Sequence, residues 1–280
     1  MVGTSDPTAA EARDALRAFG IVATPYSDLR EALDQQRPDI VAICSPYVVH
    51  REHLLLTADA RAHCLCEKPL CWGPLADLRS EPEGLVDAFA ASGCCLELLT
   101  QWPRTLPTYF ELFPQAGREP VERFEMRLSP IAQGPDMVLD AAPHIVSMLW
   151  ALAGAGEIVA PQARCGVGGR ELTLDFEYRH VLGSIAVACR FGTCERQPRP
   201  AWYAINGHVA ERRIEMPGYR MHLRRRDGEG ELRLPDPLAL HVRSFVDDVR
   251  HQAATDRQRL VQSVRHLATL YEAARAVGLS

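Results

Sequence analysis

The sequence is short of several features that define whole classes of protein. It contains no uninterrupted run of about 18 apolar residues, so no membrane-crossing helix is expected. Its opening stretch, MVGTSDPTAAEARDAL, has no basic patch followed by an apolar segment, so no secretory leader is expected. It has no excess of positive charge. Its 31 Lys and Arg against 36 Asp and Glu leave a net charge of -5, and nucleic-acid binding, which needs concentrated cations, is not expected. The nine cysteines are odd in number and include no C-x-x-C pair. A disulfide framework is therefore not expected, and Cys64-Leu65-Cys66 has poor spacing for zinc. Reduced thiols serving as small core residues in a cytoplasmic protein, with no metal site, are the expectation. A G-x-G-x-x-G phosphate-binding turn is also missing.

What is present is a globular composition. The 280 residues are 47% hydrophobic and 24% charged, enough apolar mass for one large core or two ordinary ones. The first hundred residues alternate strand and helix signals. Residues 2–4 read as a strand. Asp6 and Pro7 open a helix whose apolar face is Ala9, Ala12, Leu16 and Phe19, stopped by Gly20. Residues 20–24 read as a second strand. Asp28, with Glu31 three residues on, caps a second helix that Pro38 ends. Residues 39–44, apolar after the first, have the pattern of a parallel strand buried on both faces. Residues 62–66 and 94–99 read as two more strands, each after a helical stretch. This rhythm predicts a parallel α/β sheet.

The pattern changes near residue 100. Residues 119–129 and 156–234 alternate in the strand manner and are broken by Gly166–Gly169, Asn206-Gly207 and Asp227-Gly228, the last two being strong hairpin signals. A helix is expected over roughly 140–153, with Pro143 in its first turn. Two helices close the chain, the last with apolar residues at 260, 264, 267, 268, 271 and 274. The expected architecture is an incomplete Rossmann-like parallel sheet over 1–101, followed by an α+β domain over 102–280 with an open, mainly antiparallel sheet.

Two polar clusters fall at the carboxyl ends of predicted parallel strands, where ligands bind in open α/β sheets. One is Ser45-Pro46-Tyr47 with His50; the other is Glu67-Lys68-Pro69. A lysine there can hold a substrate hydroxyl or help move a proton. Downstream, Asp140 and His144 share one face of the predicted helix by their four-residue spacing. These residues resemble the Gfo/Idh/MocA family of nicotinamide-dependent oxidoreductases. SPYVVH resembles the family's TP-x-x-x-H turn, CEKP its EKP motif, and Asp140 to His144 its D-x-G-x-H segment. Gln101-Trp-Pro-Arg104 and Asn206-Gly207 match more loosely. Ala142 replaces the usual Gly, and Ser147 stands where many members keep an Asp.

The resemblance implies hydride transfer between NAD or NADP and a hydroxyl or carbonyl carbon of a small polyol, sugar or related substrate. It implies that Lys68 orients the substrate and assists proton transfer. His144 would be the general acid/base, and Asp140 would position the substrate or His144. Ser45, Pro46, Tyr47, His50, Glu67, Lys68 and Gln101 would line the cofactor. Asp6 would meet the adenosine ribose and favour NAD, since a carboxylate accepts from the 2′-hydroxyl and repels a 2′-phosphate. A homo-oligomer through the second-domain sheet is implied as well. The family also opens with a strand and Gly-rich turn, so the sequence as given is expected to start at the family's second strand. Two other readings stand beside this one. In one, a non-catalytic descendant acts as a partner subunit or small-molecule binder; in the other, Lys68 and His144 serve a cofactor-free isomerase or lyase step. The plain structural alternatives are a capping Asp6, a locally bonded His50, a core His144, and a solvated Arg224-Arg-Arg226 hairpin face.

Overall fold

Short-range signals set both ends of the helix that follows Asp28. In this computed structural model, which describes residues 3–6 and 8–277 apart from the side chain of Arg79, the Asp28 carboxylate accepts from the Glu31 N–H at 2.8 Å. That bond satisfies one of the open N–H groups of a helix start. Arg37, in the left-handed region at φ 43°, ends the same helix just before Pro38. Along the first part of the chain run β1 (Gly3–Ser5), α1 (Ala9–Ala18), β2 (Thr24–Tyr26), α2 (Leu29–Gln36), β3 (Ile40–Ile43), α3 (His50–Asp59), β4 (His63–Glu67), α4 (Glu81–Ser92) and β5 (Leu96–Leu99). Their strands form two separate parallel ladders, β1-β2 and β3-β4-β5. Among the described residues β1 and β3 each pair on one side only.

Several local expectations shift. The second strand lies at Thr24–Tyr26, not over 20–24. The apolar stripe of α1 has no buried residue, and Phe19 is 83% exposed. β3 is not buried on both faces: only Ile43 is buried, and Ala42 is exposed. Parallel strands are buried when neighbours and crossover helices cover them, and β3 has one paired neighbour. β4, paired on both sides, buries Cys64, Leu65 and Cys66. Val2 and Pro7, read as part of a strand and a helix start, lie outside the described residues.

The second part of the chain contains α5 (Leu106–Leu112), β6 (Arg123–Leu128), α6 (Asp136–Ala153), β7 (Gly156–Cys165), β8 (Glu171–His180), β9 (Gly183–Gly192), β10 (Ala201–Ile205), β11 (His208–Glu215), β12 (Arg220–Arg225), β13 (Glu231–Leu234), α7 (Pro237–Arg250) and α8 (Arg257–Val277). Eight strands form one sheet in the order β13-β12-β11-β10-β6-β9-β8-β7. All neighbours are antiparallel except β6 and β9. The Asn206-Gly207 hairpin forms as expected, with φ of 50° and 84°, the sign that its turn type demands at both positions. The Asn206 side chain also accepts from the N–H groups of Glu122 and Arg123 at 2.9 and 3.0 Å. Alternation gives the sheet two unlike faces. Phe124, Met126, Leu174, Val187 and Tyr203 are buried on one. The other carries ion pairs such as Arg190–Asp175, Arg226–Glu211 and Arg123–Glu125.

The helix α6 begins four residues earlier than expected and holds Pro143 in its interior rather than its first turn. An interior proline forfeits one backbone bond and usually costs about 3 kcal/mol. Ten buried residues of α6, from Met137 to Leu149, are the burial that offsets it. This helix is also long and apolar enough to cross a membrane by length and composition alone, but more than half of it is buried against its own chain.

Contacts divide the chain into two compact units: Met1–Leu99 with Phe245–Arg257, and Thr100–Ser244 with Gln258–Ser280. The single cut after residue 101 is therefore not what the packing shows. Residues 245–257 belong with the first unit because Phe245 and Val249 pack with Leu65, Cys95 and Leu99. In addition, the Thr255 hydroxyl accepts from the Leu96 N–H at 2.8 Å, and the Arg257 guanidinium forks onto Asp87.

Candidate active site

In the first unit, the ends of β3 and β4 are tied together by one side chain. His50, the first residue of α3, is fully buried. Its Nδ1 lies 2.8 Å from the Pro69 carbonyl and its Nε2 lies 2.8 Å from the Ser45 carbonyl. The Cys66 thiol sits 3.5 Å from the same Nδ1. Each ring nitrogen therefore faces a backbone oxygen of one of the two predicted clusters, and a neutral imidazole donates to one of them. His50 thus joins the SPY and EKP loops, to which the cofactor-lining reading assigned it. Burial, with no offsetting cation, pushes the Cys64 and Cys66 thiols far up, so these cysteines are core residues and not nucleophiles.

The surrounding residues are accessible to a ligand. Ser45, Tyr47, Glu67 and Lys68 are half-buried and Pro46 is exposed. The Ser45 hydroxyl is 3.1 Å from His53 Nδ1, and Glu67 Oε2 accepts from the Lys68 N–H at 3.2 Å. The Lys68–Pro69 peptide is cis. One signal in the sequence had gone unweighed: Lys68 is the only lysine among 31 cationic residues. Every other cation is an arginine, which stays protonated, whereas an ammonium can release a proton. Asp6, at the end of β1, accepts from the Thr8 N–H and hydroxyl at 2.7 and 2.6 Å, both on Oδ1. These bonds hold its carboxyl below the usual carboxylate range. Asp6 thus fixes the turn ahead of α1 but does not cap it, since the N-cap is Thr8 and no side chain bonds into the helix start, and it is ionised at neutral pH.

In the second unit, Asp140 and His144 stand one turn apart on α6, either side of Pro143. Asp140 Oδ2 accepts from the Ile131 N–H at 3.2 Å, which fastens the 129–134 segment against the helix. The start of α6 is also fixed from the β7–β8 turn, where the Gly169 carbonyl accepts from Gly134 at 2.7 Å. His144 is half-buried among apolar neighbours. The Trp102 ring lies 6.4 Å from the His144 ring, centre to centre, and packs edge-on against Tyr203. Tyr203 is fully buried and bonded to the Thr105 hydroxyl at 2.8 Å. Gln101 precedes Trp102 and starts a short 3-10 turn, its carbonyl accepting from Arg104 at 3.1 Å. Trp102 forms a wall beside His144.

Among the described residues no cluster of three or more His, Cys, Asp or Glu side chains could hold a metal ion, and all nine cysteines are free thiols.

Comparison with known proteins bears on the same elements. Residues 1–97 match the GFO_IDH_MocA family model, described as an oxidoreductase family with an NAD-binding Rossmann fold. A D-glucoside 3-dehydrogenase of Escherichia coli (strain K12) is 32% identical over 74 residues, which is 26% of this chain and 21% of that protein. The match to this curated relative thus spans about a fifth of its length. The fold is shared over nearly the whole chain. UDP-N-acetylglucosamine 3-dehydrogenase GnnA from Acidithiobacillus ferrooxidans superposes with a TM-score of 0.72 at 18% identity, covering 99% of this chain and 90% of that one. KijD10, a 3-ketoreductase from Actinomadura kijaniata solved in complex with NADP, gives 0.70 at 19% identity, covering 99% and 88%.

Proposed function

Since residues 1–97 match the model of an oxidoreductase family with an NAD-binding Rossmann fold, we infer that the protein transfers a hydride between NAD or NADP and a carbinol or carbonyl carbon of a sugar-like substrate. The observation that carries the reading is the placement of the chain's only lysine at the carboxyl end of β4, where a parallel sheet presents its ligands. When bound, the nicotinamide supplies the acceptor or donor of the hydride. Everything else falls to side chains of this protein.

In the oxidative direction the substrate loses a hydride from carbon and a proton from its hydroxyl. His144 takes that proton; an imidazole, with an ordinary pKa of about 6.5, exchanges protons at neutral pH. The role we assign to Lys68 is to orient the substrate by a donated hydrogen bond and to stabilise alkoxide character as the proton leaves. Asp140, through its bond to Ile131, keeps the segment beside His144 in place. In the reductive direction the same groups return the proton. Ser45, Pro46 and Tyr47 form the accessible rim at the end of β3 and would flank the dinucleotide, with Glu67 and Gln101 as further contacts. Asp6 fits the adenosine ribose. It is half-buried and ionised, both its bonds fall on Oδ1, and an anion there favours NAD. Among the described residues the first unit carries no glycine-rich turn, and no residue is assigned to the pyrophosphate. The matched proteins are named as dehydrogenases and a ketoreductase, so nothing in them favours a non-catalytic partner subunit. Catalysis in the cytoplasm by a homo-oligomer is the setting that accompanies this reading.

The single side-chain amine makes the test direct. Among side-chain amines, acetylation of the protein modifies Lys68 alone. NADH together with a sugar substrate should protect Lys68 from the reagent, and Lys68→Met and His144→Asn should each lower kcat by about 10²- to 10⁴-fold. Calorimetric titration with NADH should saturate. Full turnover by both variants, or no nicotinamide binding at all, would overturn the assignment.

A further inference from the structure

Arg212, which lies over Trp102, and Arg199, whose carbonyl it reaches, are short of partners. Arg212 lies on β11 opposite Ala201 of β10 and Leu223 of β12. That register puts it on the apolar face of the sheet with Tyr203, while its neighbours Glu211 and Arg213 point to the charged face. Its guanidinium sits over the Trp102 ring at 5.3 Å. One Nη donates to the Arg199 carbonyl at 2.9 Å, but its Nε is shielded from solvent and has no acceptor. Arg199 Nε is in the same condition. Among the described residues neither arginine has a carboxylate within ion-pair distance. Buried or half-buried cations in proteins are normally paired, and on the opposite face of this sheet they are: Arg226 stacks on Trp202 and still reaches Glu211 at 2.7 Å.

The loop bearing Arg199 is fixed rather than loose. The Thr193 hydroxyl donates to the Ala132 carbonyl at 3.0 Å, the Cys194 N–H donates to the Pro130 carbonyl at 2.9 Å, and the Ser129 hydroxyl donates to the Pro200 carbonyl at 2.8 Å. The 129–132 segment that receives the loop is the one Asp140 holds through Ile131. The Arg pair and the Asp140–His144 helix therefore share one support, and Trp102 touches both His144 and Arg212.

We propose that Arg199 and Arg212, with Trp102 as a stacking floor, form a subsite for an oxyanion carried by the substrate, so that the sugar-like molecule processed here bears a carboxylate or a phosphate. This rests on the oxidoreductase reading and narrows its substrate class. A planar guanidinium fork matches both groups, and an indole floor accepts the apolar face of a sugar ring. Burial, and the like charge of Arg199, pull the Arg212 pKa down from its usual value; an anion between the two would relieve both effects.

The test uses the intact chain and four probes: glucose, glucuronate, glucose 1-phosphate and UDP-N-acetylglucosamine. Binding is measured by calorimetry with and without NADH, and turnover by nicotinamide absorbance. At least one anionic probe should bind about tenfold or more tightly than glucose, with glucuronate and glucose 1-phosphate telling carboxylate from phosphate. Arg212→Gln and Arg199→Gln should abolish that preference, Arg212→Lys should keep part of it, and Arg226→Gln on the charged face should leave it intact. Equal binding of glucose and all three anions, an anion preference that survives both Gln variants, or no binding of any probe would overturn the subsite. Arg-dependent anion binding without turnover would sink the oxidoreductase reading and spare the subsite. Turnover of glucose that is indifferent to Arg212→Gln would do the reverse.

Discussion

β3 and β4 run side by side, and their burial is the reverse of their hydrophobicity. Ile-Val-Ala-Ile is the more apolar strand, yet only Ile43 is buried; His-Cys-Leu-Cys-Glu is the more polar, yet its three central residues are. Neighbours make the difference. β4 has a ladder on each side, and its Leu65 sits in the cluster with Cys95 and Phe245, which Ile40 of β3 and Val249 meet only at its edge. β3 has one ladder partner among the described residues. Burial, and the stability it confers, is a property of what packs on a strand rather than of the strand's own letters.

The largest test of that contrast is a pair of truncations. Leu65→Ala should cost about 2–5 kcal/mol, as for a filled core site, while Val41→Ala one strand over should cost less than about 1 kcal/mol. Urea midpoints compare the two, and equal losses would dissolve the distinction. A second test takes the converse case, a polar residue that neighbours keep buried. His266 on α8 lies edge-on to Tyr178 at 5.8 Å, and burial lowers its pKa to about 4. The folded state therefore holds it neutral while the unfolded chain takes up a proton near the ordinary histidine value. Its stability contribution is complete above about pH 6.5 and is lost as pH falls towards 4, a change of order 3 kcal/mol. His266→Phe should flatten that part of the pH–stability curve.

His50 offers a third test, since it joins the well-covered strand to the poorly covered one. His50→Leu keeps the bulk but removes the imidazole between the Ser45 and Pro69 carbonyls and the hydrogen bond it donates there. We expect a loss of about 2 kcal/mol together with weaker NADH binding, because both ligand-bearing loops relax. Unchanged NADH affinity would mean that the loops hold themselves. The smallest effect belongs to Asp87→Asn. Its ion pair with Arg257 is exposed, and such pairs contribute little, so no resolvable shift of the urea midpoint is expected.

The parallel and antiparallel halves, the capped start at Asp28 and the Asn-Gly hairpin could be read directly because each depends on residues within a few positions. The same holds for the chemistry-bearing stretch from Ser45 to Lys68, which is nearly contiguous. What could not be read depends on partners distant in sequence. The exposure of β3, the joining of 245–257 to the first unit, and the interior position of Pro143 follow from packing that no window of the sequence contains. The role of His50 was undecided for the same reason: its two acceptors are 5 and 19 residues away, on different loops. The Arg199–Arg212 pair left no local mark at all, since a strand arginine and a loop arginine look like ordinary surface charge until the register places one beside a tryptophan.

The return of residues 245–257 to the first unit sets an order of events during synthesis. A nascent chain that has emerged as far as Leu99 carries all five of that unit's strands, yet Leu65 and Cys95 still lack Phe245, and the Leu96 amide still lacks Thr255. The second unit's whole eight-stranded sheet is translated before those partners emerge. Long-range closure of this kind slows folding and leaves apolar surface uncovered in the interval. The first unit to be made is thus among the last to be finished, and in the cell its uncovered strands are where a chaperone would find this protein.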